Sequence, residues 1–243
     1  MHNRIRLWKS FVSLLVVALL VASASAAVYA APAANPGVLP PNSRPHGKSY
    51  AEWSAEHWKW LYSISVHDPP YTGAINHPLV DETGAKCGVG QSGDVWFLGG
   101  PFNSSGIVVR DCTVPTGTML FFPLVDVECS NVEPAPFFGA NEAELRACVA
   151  QIGMANLTAS VDGVAIQNLQ GYRVQSPLFS FTVPEDNLLG ISAGTTGIAV
   201  SDGYFLMLAP LSAGQHTVHF GGTFPDFSFT LDATYHLTVA PGH

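Results

Sequence analysis

SYAEWSAEHWKWLYSI, residues 49–64, is the stretch around which the rest of the chain is organised. Ser49 followed three residues later by Glu52 makes a capping box, each side chain able to satisfy the other's backbone N–H at a helix start. Wound at about 3.6 residues per turn, the segment carries two apolar stripes. Tyr50, Trp53, His57, Trp60, Leu61 and Ile64 form the first, and Ala51, Ala55, Trp58 and Tyr62 the second. A narrow polar strip of Glu52, Glu56, Lys59 and Ser63 runs between them. A helix this aromatic on two sides either packs between two surfaces or shows its rings to a ligand.

Upstream of the helix, Arg4, Arg6 and Lys9 precede an apolar run from Phe11 to Ala22 and then small residues to Ala31. That is the layout of a secretory signal peptide, and the run is short of the ~20 residues that cross a bilayer. Cleavage fits after Ala26 or after Ala30. The second is preferred, giving a signal peptide over 1–30, a Pro/Ala-rich tether over 31–48 and one domain over 49–243. The alternative is an uncleaved anchor. Without residues 1–30 the chain keeps seven basic residues against eighteen acidic, a net charge of −11 with neutral histidines. So few cations argue against nucleic acid and anionic membrane surfaces as partners.

Four cysteines, Cys87, Cys112, Cys129 and Cys148, are an even count in a chain expected outside the cell, in the periplasm or beyond. None sits in a C-x-x-C unit, so two disulfides are expected rather than a zinc ribbon or a redox motif. Free buried thiols are the alternative. The sequential pairing follows if Asp94–Leu98 and Ile107–Arg110 form a hairpin whose far ends bring Cys87 to Cys112. Cys129 would then bridge to Cys148 on the helix read over 139–153, with Asn141 as its cap.

Beyond Asn156 the chain reads as β. Asp162-Gly163 is a two-residue hairpin signal. The last strand alternates Phe229, Leu231, Ala233, Tyr235, Leu237 and Val239 against Thr230, Asp232, Thr234, His236 and Thr238. One face is apolar and one polar, and turns recur about every ten residues, so the expected fold is mainly β: an antiparallel β-sandwich or jelly roll with two helices.

The Trp-rich helix (Trp53, Trp58, Trp60), the run from Cys87 to Gly93 leading into Val95-Trp96-Phe97-Leu98, and Asp202-Gly203-Tyr204 before Gly214-Gln215-His216-Thr217 carry a resemblance. The chain resembles a family of exported bacterial proteins with no assigned activity. The resemblance implies secretion and a single domain, and brings no catalytic residue with it.

No G-x-S-x-G elbow, H-E-x-x-H, Walker loop or EF-hand spacing is present. Four constellations remain. Glu56 beside His57 offers a carboxyl between two apolar stripes, a candidate acid, against a plain Glu56–Lys59 pair and a core histidine. Asp126 and Glu128 share a face of one strand by alternation, so they can act as acid and base or take a divalent cation, with Asp81 and Glu133 able to join from neighbouring loops. The bland alternative is two solvated carboxylates. His216, His219 and His236 do not converge, and no resident metal or other cofactor is expected. Trp53, Trp58, Tyr62 and Trp96 offer aromatic faces to sugar rings, or simply fill a core. Asn103 and Asn156 begin Asn-x-Ser/Thr sequences.

The preferred reading is a secreted binding protein for a carbohydrate or cell-envelope component. The first alternative is an extracellular hydrolase or lyase on polysaccharide or ester substrates, using Glu56, His57, Asp126 and Glu128. The second is an assembly protein that pairs through strand edges.

Overall fold

The computed structural model describes residues 35–102 and 106–241. The expected signal peptide, the first residues of the tether and Asn103 lie outside the described residues. Two α-helices and ten strands follow in chain order: α1 Tyr50–Tyr62, β1 Val95–Phe97, β2 Gly106–Pro115, β3 Met119–Ser130, α2 Glu142–Gln151, β4 Ala155–Val161, β5 Val164–Ala165, β6 Arg173–Gln175, β7 Phe179–Thr182, β8 Thr196–Leu208, β9 Gly214–Phe224 and β10 Phe229–Ala240. Among the described residues no helix is long and apolar enough to cross a membrane.

Local signals produced the helices and the hairpin. Ser49 and Glu52 close the capping box at α1, and Asn141 accepts from the Glu144 N–H at α2. Asp162 and Gly163 both take positive φ, the turn that joins β4 to β5. On β10 every second residue from Leu231 to Val239 is buried.

The pairing of strands departs from a purely antiparallel expectation. One sheet runs β1-β3-β8-β6, with β7 also on β8; the other runs β2-β10-β9-β4-β5. β1 pairs with β3 in parallel, and β2 pairs with β10 in parallel. β1 and β2 therefore belong to different sheets, and the hairpin between them does not exist. The two disulfides are nevertheless Cys87–Cys112 and Cys129–Cys148. Cys87 reaches Cys112 because its loop lies along the free edge of β2, where the Asp111 N–H donates to Thr83 O at 2.9 Å. That edge is thereby covered in its middle, which weakens pairing through it with another chain.

Both sheets contribute to one core. Phe122 of β3 stacks on Phe220 of β9 at 4.7 Å between ring centroids. On the other face of β3, Phe121 stacks on Phe205 of β8 at 5.2 Å, beneath α1. A smaller cluster, Val127, Cys129, Leu145, Val149, Ile152 and Val200, packs α2 against β3 and β8. The Cys129–Cys148 bridge ties this cluster and closes a separation of 19 residues. Replacing both of its cysteines by alanine is expected to lower stability by about 3 kcal/mol, on the loss of loop closure in the unfolded chain. Urea denaturation of the variant checks this; an unchanged midpoint would show that α2 is held by packing alone.

Candidate functional site

The face of α1 that carries Trp58 and Tyr62 lies over β3, and what it meets there is set by a bulge. Pro123 of β3 pairs with Phe205, but Val125 pairs with Tyr204, so Leu124 is one residue more than the partner strand has. An extra residue reverses which side chains face which way beyond it. Before the bulge Phe121 points to α1 and Phe122 to the second sheet. After it, Val125 points to the second sheet, and Asp126 and Glu128 point to α1. Gly203, opposite Asp126, makes room for this: a Cβ there would stand 2.4 Å from the Asp126 Cβ.

The result is a cavity of about 520 Å³ with an apolar body and an acidic end. Its apolar wall includes Trp58, Phe102, Phe137, Leu188, Leu189 and Ile191. At the polar end stand Asp126, Glu128, Glu133, Tyr62 and His57, and none of the lining residues is a lysine or arginine. The Tyr62 hydroxyl donates to Glu128 Oε2 at 2.5 Å. Ser130 Oγ donates to Glu133 Oε2 at 2.8 Å. Asp126 Oδ2, Glu128 Oε1, Trp58 Nε1 and His57 Nδ1 are sealed from solvent with no partner in the protein.

Burial governs how these groups titrate. It pushes Asp126 up to about 7, opposed by the nearby Trp58 indole N–H, which faces the carboxyl without closing a hydrogen bond. Burial also lifts Glu128 well above the carboxylate range, helped by the adjoining Glu133 and opposed by the Tyr62 hydroxyl. Tyr62 is raised by burial and by Glu128. His57 is lowered to about 3 by burial and is neutral; its Nε2 lies 3.3 Å from Leu98 O and, as the donor there, leaves Nδ1 as an acceptor. At neutral pH the site thus holds carboxyl groups that keep protons which water would remove.

The other candidates are placed elsewhere. Glu56 is bound by Lys48 at 2.9 Å and Lys59 at 3.0 Å. Burial raises it, but the two ammonium groups outweigh burial and hold it below the usual carboxylate range. It lines a second cavity, of about 430 Å³, with Trp53, Lys48 and His46. Glu56 and Glu128 share neither cavity, so they do not form an acid–base pair. Asp81 accepts from Thr83 and from the Lys86 N–H inside its own loop, so only Glu133 joins Asp126 and Glu128. Trp96 lines neither cavity. His219 meets Asp232 at 3.0 Å and His216 meets Asp162 at 2.8 Å, two separate pairs. Among the described residues no group of three or more His, Cys, Asp or Glu is disposed to hold a metal ion.

Ser212 Oγ, His216 and Asp162 reproduce the order of a hydrolytic triad, with Ser212 Oγ 3.2 Å from His216 Nε2. The same Nε2 lies 3.0 Å from the Ser212 carbonyl, which only an N–H can satisfy, and the group lines neither cavity. It reads as a turn clasp.

Sequence reasoning missed Arg110. Its side chain is buried, with Nε on Asp81 O, Nη1 on Gly99 O, Gly100 O and the Tyr235 hydroxyl, and Nη2 on Leu79 O, at 2.7 to 3.3 Å. Leu79, Gly99 and Gly100 line the main cavity, so this guanidinium fixes one of its walls. The signal was present: Arg110 falls in phase with Val108, Cys112 and Val114 on the buried face of β2.

No family model matches the chain, and no curated protein does. Among solved structures the chain is similar to one in the structure of PbICP-C in complex with falcipain-2, at 14% identity. The match covers 61% of this chain and 100% of that one, with a TM-score of 0.26. That score is too low for the likeness to bear on fold or function.

Proposed function

We propose that this is an exported binding protein, built as a β-sandwich, that encloses the apolar body of a small cell-envelope component in the cavity beneath α1. The stack of Phe122 on Phe220 between the sheets supports the sandwich. The two disulfides support folding outside the reducing cytosol. The observation that carries the binding reading is the cavity itself: largely apolar, with a few polar groups at one end whose atoms have no partner in the protein. Buried polar atoms without partners are costly, and a ligand that supplies the missing bonds recovers that cost. An apolar wall of this extent favours an amphipathic molecule over a bare sugar. Trp58 and Tyr62, and not Trp53 or Trp96, are then the aromatic residues that touch it.

The test uses N-phenyl-1-naphthylamine, a neutral fluorophore that brightens in apolar surroundings. The expected result is saturable brightening, reversed by an envelope lipid extract and weakened at least about tenfold in a Leu189→Trp variant that fills the cavity. Brightening that survives Leu189→Trp, or none at all with a glycan array giving strong hits, would overturn the reading.

A hydrolase reading draws on one observation, the Asp126 carboxyl poised near neutrality beside a second carboxyl in a cavity. It requires turnover of an ester or polysaccharide that is lost in both Asp126→Asn and Glu128→Gln.

A further inference from the structure

Three acidic side chains lie close together in the lining of the main cavity, and no cationic side chain lines it with them. Asp126 and Glu128 come from β3 and Glu133 from the loop that follows it. From α1, the facing groups are Tyr62, neutral His57 and Trp58. No lysine or arginine lines the cavity. Arg110, behind Gly99 and Gly100, is bonded to four carbonyls and the Tyr235 hydroxyl and donates to none of these carboxyls. Several acidic groups elsewhere are matched by cations: Glu56 by two lysines, Asp202 by Arg173, Glu142 by Arg146. Asp202, buried like Glu128, has its arginine, whereas no cation lines the cavity with Glu128, and burial makes an ionised carboxyl there costly.

Two of these acids also carry a buried oxygen that the protein leaves without a partner. Glu128 is 3% exposed and its Oε1 has no partner, and Asp126 Oδ2 has none either. Beside them the Trp58 and Tyr62 rings lie tilted to one another, with centroids 5.4 Å apart. Carboxyl oxygens without partners beside aromatic rings favour an organic cation, above all through charge-assisted hydrogen bonds.

We propose that the ligand of this cavity is an organic ammonium: a cationic nitrogen held by Asp126, Glu128 and Glu133 against Trp58 and Tyr62, with an apolar body along Phe137 and Leu189. This rests on the binding reading above and specifies the ligand's charged end. Binding exchanges one charge for another. The ammonium enters with its proton, and a protonated carboxyl releases its own to solvent, so a carboxylate–ammonium pair forms where a neutral acid stood. Affinity for the cation therefore rises with pH until the carboxyls ionise without help, and one proton is given up per carboxyl that ionises.

The experiment is isothermal titration calorimetry of the intact protein with 4-phenylbutylammonium, 4-phenylbutanol and 4-phenylbutyrate. It is run near pH 5 and near pH 8, in buffers of different ionisation enthalpy. The ammonium is expected to bind at least about tenfold tighter than the alcohol near pH 8, to weaken about tenfold or more near pH 5, and to release protons on binding. Glu128→Gln and Asp126→Asn should each shrink the preference for ammonium over alcohol. Glu56→Gln, in the second cavity, should leave it unchanged. If the alcohol binds as tightly as the ammonium at both pH values, or the carboxylate binds best, the cation assignment is wrong while binding in the cavity stands. If none of the three binds and N-phenyl-1-naphthylamine does not either, both readings fall together.

Discussion

An Arg110→Met variant is expected to lose roughly 3–5 kcal/mol or more of stability, enough to leave a domain of ordinary stability largely unfolded. Methionine matches the length of the stem and donates nothing. The carbonyls of Leu79, Asp81 and Gly100 would then lose the donor that Arg110 gives them. Gly99 O would keep only the Tyr235 hydroxyl, at 2.7 Å. Arg110→Lys should rescue little, because one ammonium cannot span acceptors that three guanidinium nitrogens now reach. Urea denaturation followed by circular dichroism measures the loss. A shift under about 1 kcal/mol would show that the two loops are held by packing and that Arg110 is a passenger.

The second large effect has the opposite sign. Asp126 keeps its proton in the folded protein up to about pH 7, whereas in the unfolded chain it ionises near 3.8. A raised carboxylate pKa means that the folded state holds more protons between those values. Stability from this group is therefore full below about pH 4, falls as pH rises to about 7 and is flat beyond. Asparagine does not ionise. Asp126→Asn should thus match the parent near pH 4 and exceed it by roughly 2–4 kcal/mol at pH 8. Comparing the two proteins at each pH cancels the other carboxylates, such as Asp162, which His216 and the Thr217 N–H outweigh burial to hold low. The gain in stability would come with weaker ligand binding, as expected when a site is kept unfavourable for function. Equal destabilisation at both pH values would mean that Asp126 serves as an ordinary ionised group.

What could be read from the chain alone follows the range of the physical signal. The capping box at Ser49 and Glu52, the Asn141 cap and the Asp162-Gly163 turn are contacts between residues a few positions apart, and all three formed as the residues imply. The alternation on β10 was equally plain, since its two faces differ along the whole strand. The pairing of β1 with β3 and of β2 with β10 was not legible. Parallel neighbours are joined by long connections, and nothing in a three-residue strand such as β1 names its partner. The disulfides came out in the expected order for another reason: a loop laid along an edge, and not a hairpin, carries Cys87 to Cys112.

The site shows the same division. That Asp126 and Glu128 share a face is a matter of period two and needed only the sequence. Whether that face meets water or α1 depends on the bulge at Leu124 and on where the helix comes to rest. Residues 119–125 are apolar on both faces, so their pattern marks neither side as inner. Glu56 looked similar because it also sits between apolar stripes. Lys48, which precedes the helix and lies eight residues from Glu56, pairs with it there, and that contact depends on the path of the chain into α1.

The central claim is that β3 carries two carboxyl groups, shielded from water, into the cavity under α1. The most direct measurement is a pH titration of the side-chain carboxyl carbons by 13C NMR, assigned with Asp126→Asn and Glu128→Gln. The account predicts a midpoint near 7 for Asp126 and one well above the ordinary glutamate range for Glu128. Midpoints of about 4 for both would place the two groups in water and contradict it.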